Sequence, residues 1–291
     1  MPPIYERSFA VRAYECDVYG HVNHANYLRY MQEAAIEASA SVGYDTRAYE
    51  RLGRIWLIRE TDIEYLRPLF YGDRLTVRTW VADFRKVRSR RIYEFRREGT
   101  EEPVARAVTD WVFLDRETLH PAAIPEEMAR AFRPDGGRER GPWKPFAGLP
   151  DPPSGSHVMQ RNVEWRDIDH VGHVNNAVYL SYNEEAGLDV ARTLGRRLDE
   201  MFSAGWGTFT RRNRIEYLRP AVLGDVLEVE TWLSPPRNTS ITRYFLIRRA
   251  GEPAPLVRAE SVWVTVDLQT GESIAVPPGF LEAFADNIAP A

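Results

Sequence analysis

The sequence predicts an α+β protein made of two tandem copies of one domain. Two motifs recur at a single offset of 152: Gly-His-Val-Asn at 20–23 and 172–175, and Ile-Glu-Tyr-Leu-Arg-Pro at 63–68 and 215–220. Each copy reads as a strand, one long helix and then several alternating strands, with no second helical pattern between the later strands. That order places one helix against one antiparallel sheet rather than building a β-α-β layer.

The offset holds without a net gap from about residue 11 to residue 132, and ties Gly72-Asp73 to Gly224-Asp225, Trp111 to Trp263 and Phe132 to Phe284. Roughly a third of the paired positions are identical, against about one in fifteen expected from average composition. A period this long with only two copies excludes a solenoid. Half of the residues from 134 to 155 are Pro or Gly, which marks a linker. The expected domains are therefore 1–133 and 156–291, joined by 134–155. Trp143 and Phe146 in the linker are expected to lie on a domain surface.

The elements follow in order. A strand precedes the Gly-His-Val-Asn turn. Asn23 is then a suitable N-cap, with Tyr27, Tyr30, Met31, Ala34 and Ala38 at helical spacing and Gly43 as the stop. The second copy repeats this with Asn175, Tyr179, Tyr182, Ala186, Val190 and Gly195. Ile55 to Tyr65 reads as a strand. Leu75, Val77 and Thr79 alternate with polar residues, as do Leu227, Val229 and Thr231. Tyr93 and Phe95 mark the next strand, and Val104 to Leu114 the last.

Composition narrows the function classes. The chain has 291 residues, a net charge of −4, 44% hydrophobic residues and a single cysteine. A net negative charge without a nucleic-acid motif argues against a polyanion binder. No apolar run reaches about 18 residues, so no spanning helix is expected. The N-terminus lacks an apolar signal core, and one thiol forms no internal disulfide, so a cytoplasmic location is expected.

The run Asp17-Val-Tyr-Gly-His-Val-Asn-His-Ala-Asn-Tyr27, and its counterpart from Asp169 to Tyr179, resemble the motif of the 4-hydroxybenzoyl-CoA thioesterase family. Ile-Glu-Tyr-Leu-Arg-Pro resembles that family's second strand. The tandem layout and the Gly-His-Val-Asn-Asn run of the second copy are also similar to acyl-ACP thioesterases. The resemblance covers nearly all of both copies. It implies a double hotdog: two tandem hotdog domains, each an antiparallel sheet wrapped around a long central helix, together acting as an intramolecular pseudo-dimer. It also implies hydrolysis of an acyl-CoA or acyl carrier protein thioester, with no cofactor, no metal, no nucleic acid and no membrane.

The motif residues suit that chemistry. Asp17 and Asp169 stand just before a helix, where a carboxylate acts as base or nucleophile, or merely caps a turn; the resemblance implies the catalytic role. Gly20 and Gly172 allow positive φ or close approach of a ligand, and the amides after them open a helix that can hold an oxyanion. His21 and His173 either bond the thioester carbonyl or fasten the loop. Asn23 and Asn175 are N-caps first and substrate contacts second. His24 is matched by Asn176, so the two sites are expected to differ in rate or pH profile. Tyr27 and Tyr179 are candidate substrate contacts.

Other residues carry alternative readings. Arg88 and Arg91, in the basic run 85–91, are candidates for the phosphates of coenzyme A or a phosphopantetheine arm, or else lie on a solvated strand face. Asp17, His21 and His24 mimic a three-ligand metal set, but Asn176 breaks it in the second copy. Glu33 and Glu185 lie in the helices, where carboxylates are usually solvated. Cys16 matches Ile168, which suits packing. Trp56 and Trp206 are candidates for an acyl chamber. Two competing functions are a hotdog dehydratase or hydratase, disfavoured by the absence of an Asn-Pro pair, and a non-catalytic acyl-CoA-binding module.

Overall fold

The computed structural model describes residues 3–133, 144–196 and 198–290. The chain divides into two compact units, Met1–Pro145 and Phe146–Ala291.

In unit 1, strand β1 (Tyr5–Ala10) leads through a 3₁₀ turn at Ala13–Glu15 to the helix α1 (His24–Ser41). A short helix α2 (Thr46–Leu52) follows, then β2 (Arg54–Tyr65), β3 (Arg74–Phe84), β4 (Arg88–Arg97), β5 (Pro103–Asp115) and α3 (Glu126–Phe132). The strands are antiparallel in the order β1-β3-β4-β5-β2.

Unit 2 repeats the plan. Strand β6 (His157–Asn162) and a 3₁₀ turn at Trp165–Asp167 precede α4 (Val178–Thr193) and the short α5 (Leu198–Ser203). Then come β7 (Trp206–Tyr217), β8 (Val226–Leu233), β9 (Ser240–Arg249), β10 (Pro255–Asp267) and α6 (Pro278–Ala283). Its sheet runs β6-β8-β9-β10-β7, the same permutation as in unit 1.

Alternation along the strands builds the core. Leu75, Val77 and Thr79 of β3, Tyr93 and Phe95 of β4, and Ala105 and Ala107 of β5 are buried, as are Tyr27, Leu28, Met31, Ala34 and Ala38 of α1. The alanines keep the helix close to the sheet, and the tyrosines fill the head end. Tyr27 stacks edge-on against Tyr65 and Phe95, with centroids at 5.1 and 5.3 Å.

The four short helices were not expected from the sequence. Helix α2 has signals of its own: Asp45 Oδ1 accepts from the Ala48 amide at 2.7 Å, and Gly53 ends it with φ +60°. Helix α3 forms because Met128 and Phe132 close one end of the sheet over Val81 and Phe113. Phe284 and Phe280 of unit 2 do the same over Val190, Leu233 and Ile241. Six or seven residues are too short to show a helical period, so packing decides these elements.

Trp56 packs on Phe113 at 4.8 Å and donates from its indole to Tyr49 at 3.2 Å, and Trp206 lies edge-on to Phe280 at 5.8 Å. Both thus belong to the end clusters. Linker residues 134–143, including Trp143, lie outside the described residues. Phe146 carries the Arg214 guanidinium over its ring at 5.4 Å. No described helix is long and apolar enough to cross a membrane.

Candidate active site

The motif loop of each copy is a tight reversal that hands the chain to the central helix. In unit 1 the Asp17 amide donates to the His21 carbonyl at 2.8 Å, and Gly20 N–H returns to Asp17 at 2.9 Å. In unit 2 the Asp169–His173 and Gly172–Asp169 bonds are 2.9 and 3.0 Å. The Asp17 Oδ1 accepts from the amides of Tyr19 (2.9 Å) and His21 (3.2 Å), and Asp169 Oδ1 accepts from Val171 at 2.9 Å. Each carboxylate is therefore held by backbone and half-buried at the head of a helix.

Gly20 and Gly172 turn the loop with φ of +77° and +88°, and a Cβ at either would meet nothing within 4 Å. Their need is conformational, not steric. Gly20→Ala is expected to lower stability by about 1–2 kcal/mol, the cost of a left-handed L-residue. Equal denaturation midpoints for variant and parent would refute this.

The helix heads expose a shared feature. Asn23 N–H donates to the Glu15 carbonyl at 2.9 Å, and the Ala25 amide donates to Asn23 Oδ1 at 3.0 Å. Between them, the His24 amide has no acceptor among the described residues. Unit 2 repeats this: Asn175 N–H meets the Asp167 carbonyl at 2.8 Å, Ala177 N–H meets Asn175 Oδ1 at 3.0 Å, and the Asn176 amide is left over. Such a donor at a helix start suits a developing oxyanion. Asn23 is the N-cap of α1, whereas α4 begins later, at Val178 with Ala177 as its N-cap. Asn175 makes the same side-chain bond two residues ahead of that cap.

The two repeated motifs meet here. The Tyr65 hydroxyl donates to the His24 carbonyl at 3.2 Å, and Tyr217 donates to the Asn176 carbonyl at 3.0 Å. The Val22 and Val174 amides bond the carbonyls of Leu69 and Ala221 at 2.8 and 2.9 Å. Thus Ile-Glu-Tyr-Leu-Arg-Pro positions the loop that Gly-His-Val-Asn forms.

The His21 ring packs edge-on against Phe70 at 5.0 Å and lies 6.4 Å from Tyr19. Burial lowers its pKa, against the opposing pull of Asp17. The native state therefore binds fewer protons than the unfolded chain as pH falls through the ordinary value of 6.5, and stability is lost in that direction. His21→Asn is expected to flatten the fall in Tm on acidification. An unchanged slope in thermal melts across that range would refute it. The His173 ring has no hydrogen-bond or ring partner among the described residues. His24 lies 6.4 Å from the Tyr65 ring. No group of three or more His, Cys, Asp or Glu disposed to hold a metal occurs among the described residues.

The thioesterase-like superfamily matches residues 11–132 and again residues 163–284. The chain belongs to the thioesterase-like superfamily. An acyl-[acyl-carrier-protein] hydrolase of Cuphea viscosissima is 24% identical over 277 residues, covering 89% of this chain and 62% of that protein. An acyl-acyl carrier protein thioesterase of Arabidopsis thaliana is 30% identical over 128 residues, covering 44% and 68%. The chain thus spans about three-fifths of the length of the first of these relatives, at 62%. The solved 12:0-ACP thioesterase of Umbellularia californica superposes with a TM-score of 0.72 at 22% identity, covering 90% of this chain and 94% of that one. An acyl-ACP thioesterase of Bacteroides thetaiotaomicron gives 0.70 at 15%, covering 89% and 97%. The fold is the double hotdog, two tandem thioesterase-like domains.

In this thioesterase-like chain, Tyr27, Tyr179 and Arg91 are buried side chains rather than surface ones. Tyr27 and Tyr179 are buried in the cores, and burial raises the Tyr179 pKa to about 12. Tyr179 binds its own chain, accepting from the Ala221 amide at 3.2 Å. Arg91 is 7% exposed, its guanidinium over the Phe132 ring at 5.7 Å and donating to Thr79 at 3.4 Å. It points to the helix side of the strand, away from the outer face where a phosphate would dock. Arg88 does face outward, paired with Asp110 at 3.0 Å. Burial raises the Asp110 pKa, opposed by Arg88, Arg90, Arg85 and Arg59, so the basic run encloses a carboxylate of its own. Glu33 and Glu185 are exposed, and Glu185 pairs with Arg161 at 2.9 Å. Burial, with Asp17 adding, raises the Cys16 pKa, so its thiol stays protonated near neutral pH.

Sequence reasoning missed two residues that brace the loop. Glu15 and Asp167, each 6% exposed, accept at 2.7 and 2.6 Å from the hydroxyls of Tyr30 and Tyr182. They also accept at 2.7 and 2.9 Å from the amides of Arg12 and Glu164. Burial first, then these carboxylates, raise both tyrosine pKa values. The signal was present: Glu15 with Asp167 and Tyr30 with Tyr182 share the 152 offset.

Proposed function

We propose that the chain is an acyl thioester hydrolase acting on an acyl-CoA or acyl carrier protein thioester. One observation carries the reading: in both copies a backbone-held carboxylate and an unpaired amide stand together at the head of the central helix. Asp17 and Asp169 act as general base toward water or as nucleophile on the thioester carbonyl. The amides of His24 and Asn176 receive the oxyanion, and the imidazoles of His21 and His173 bond the carbonyl or the water. His24 additionally protonates the leaving thiolate in the first copy, which Asn176 cannot do. Arg88 is the surface cation placed to meet a phosphate of the carrier arm. Carrier-protein thioesters are favoured because the relatives from Cuphea and Arabidopsis are named for them.

The test is release of free thiol from a panel of acyl-CoA and acyl-carrier thioesters of graded chain length. Turnover of at least one of the two classes is expected. No turnover of any thioester, with tight acyl-CoA binding, would replace this reading by that of a binding module.

A further inference from the structure

Each hotdog domain carries a polar row across the helix-facing side of its sheet. In unit 2 the register sets Asn213 opposite Ser261, and Ser261 opposite Arg243. Arg243 is 1% exposed, in a layer where its neighbours on β9 are Ile241 and Phe245. Its guanidinium lies between the rings of Trp263 (5.0 Å) and Phe284 (5.5 Å) and donates to Thr231 Oγ1 at 3.4 Å. Its Nε–H has no hydrogen-bond partner, and no carboxylate pairs with it among the described residues. Burial alone pulls its pKa down to about 9.

Helix α4 rides directly on this side chain. A Cβ at Gly187 would lie 2.9 Å from the Trp263 ring and 3.7 Å from Arg243 Cδ. One turn earlier on the same helix face stands Asn183, 2% exposed, with both its amide oxygen and nitrogen unbonded. A buried cation without a counterion and a buried amide without partners are each costly.

Unit 1 is the internal control. Its matching row is Thr61, Thr109 and Arg91. There the hydroxyls of Tyr93 and Tyr49 lie near enough to Arg91 to influence its charge. In unit 2 the matching positions are Phe245 and Met201, while Met31 is replaced by Asn183. The second copy thus lacks those neutral partners for its arginine and carries an unbonded amide one helical turn from the glycine that packs on it.

We propose that the interior of unit 2, between α4 and its sheet, receives the far-end carboxylate of an ω-carboxyacyl chain, held by Arg243 and Asn183. This rests on the thioester reading above. The charge selects a carboxylate over a hydroxyl, since only an anion neutralises Arg243. From Val178, the first residue of α4, to Asn183 the helix rises about 7.5 Å. An acyl group whose thioester sits at the head of α4 therefore reaches Asn183 with a chain of medium length.

The test compares suberamic acid, a carboxylate with a neutral amide in place of the thioester, with octanamide. Calorimetry on the full chain is expected to show suberamic acid binding about tenfold or more tighter. Arg243→Met and Asn183→Met should each abolish that preference. Asn183→Met installs the side chain that unit 1 uses at this position, so it tests the pocket even where Arg243→Met fails to fold. In parallel, suberoyl-CoA hydrolysis should exceed that of octanoyl-CoA. Equal affinity for the two amides, or a preference that survives Asn183→Met, overturns the pocket. A carboxylate preference without hydrolysis of any thioester leaves the pocket standing and removes the hydrolase reading instead.

Discussion

Asparagine at both Asp17 and Asp169 is expected to slow thioester hydrolysis by about 10²–10⁴-fold, the range for losing a positioned base. The substitution isolates the chemistry. Asparagine keeps an Oδ1 that still accepts from the Tyr19, His21 and Val171 amides, so the loop geometry is retained. What is lost is the negative charge proposed to deprotonate water or attack the carbonyl. The single variants are informative because the copies differ at His24 and Asn176. If leaving-group protonation by His24 matters, Asp17→Asn costs more than Asp169→Asn. Steady-state thiol release on the substrate that turns over fastest checks all three variants. Parental kcat/KM in the double variant would remove both aspartates from the mechanism.

Glu15→Ala and Asp167→Ala are expected to destabilise by about 3 kcal/mol each, as two bonds to a charged acceptor vanish and a buried hydroxyl is orphaned. Tyr30 loses its acceptor in unit 1, and Tyr182 in unit 2. The 3₁₀ turn that carries each carboxylate also supplies the carbonyl for the Asn23 or Asn175 amide. The damage therefore reaches the helix head as well as the core. Tyr30→Phe tests the partner and should cost less, because the carboxylate keeps the Arg12 amide. Urea unfolding at neutral pH measures both. A loss under about 0.5 kcal/mol, the level of an ordinary surface change, would show that the brace carries no stability.

Much of the fold was readable from the chain. The strict offset exposed the duplication, and period-two alternation at Leu75, Val77 and Thr79 located a strand whose buried face is those residues. The Asn23 cap and the tyrosine-alanine face of α1 were equally visible, because capping and helical period are local properties. The short helices were not visible. Met128 and Phe132 become helical through the Phe113 cluster, a contact that no local pattern records.

Within the site, the residue types were legible and their partners were not. Asp17, Gly20 and His21 stood out because they repeat as a motif. Glu15 repeated only in charge, as Asp167, and its role emerged when Tyr30 folded back over it. Arg91 shows the opposite error. A run of basic residues looks like one surface strip, yet alternate strand residues point to opposite faces, and Arg91 falls on the inner one. The sequence by itself determined the two-copy plan, the class of fold and the residues at each helix head, since each rests on spacing along the chain. Only the tertiary structure decided which polar side chains are outside and which are buried. That choice depends on the helix lying over one face of the sheet, and it is why Arg88 meets solvent while Arg91 and Arg243 do not.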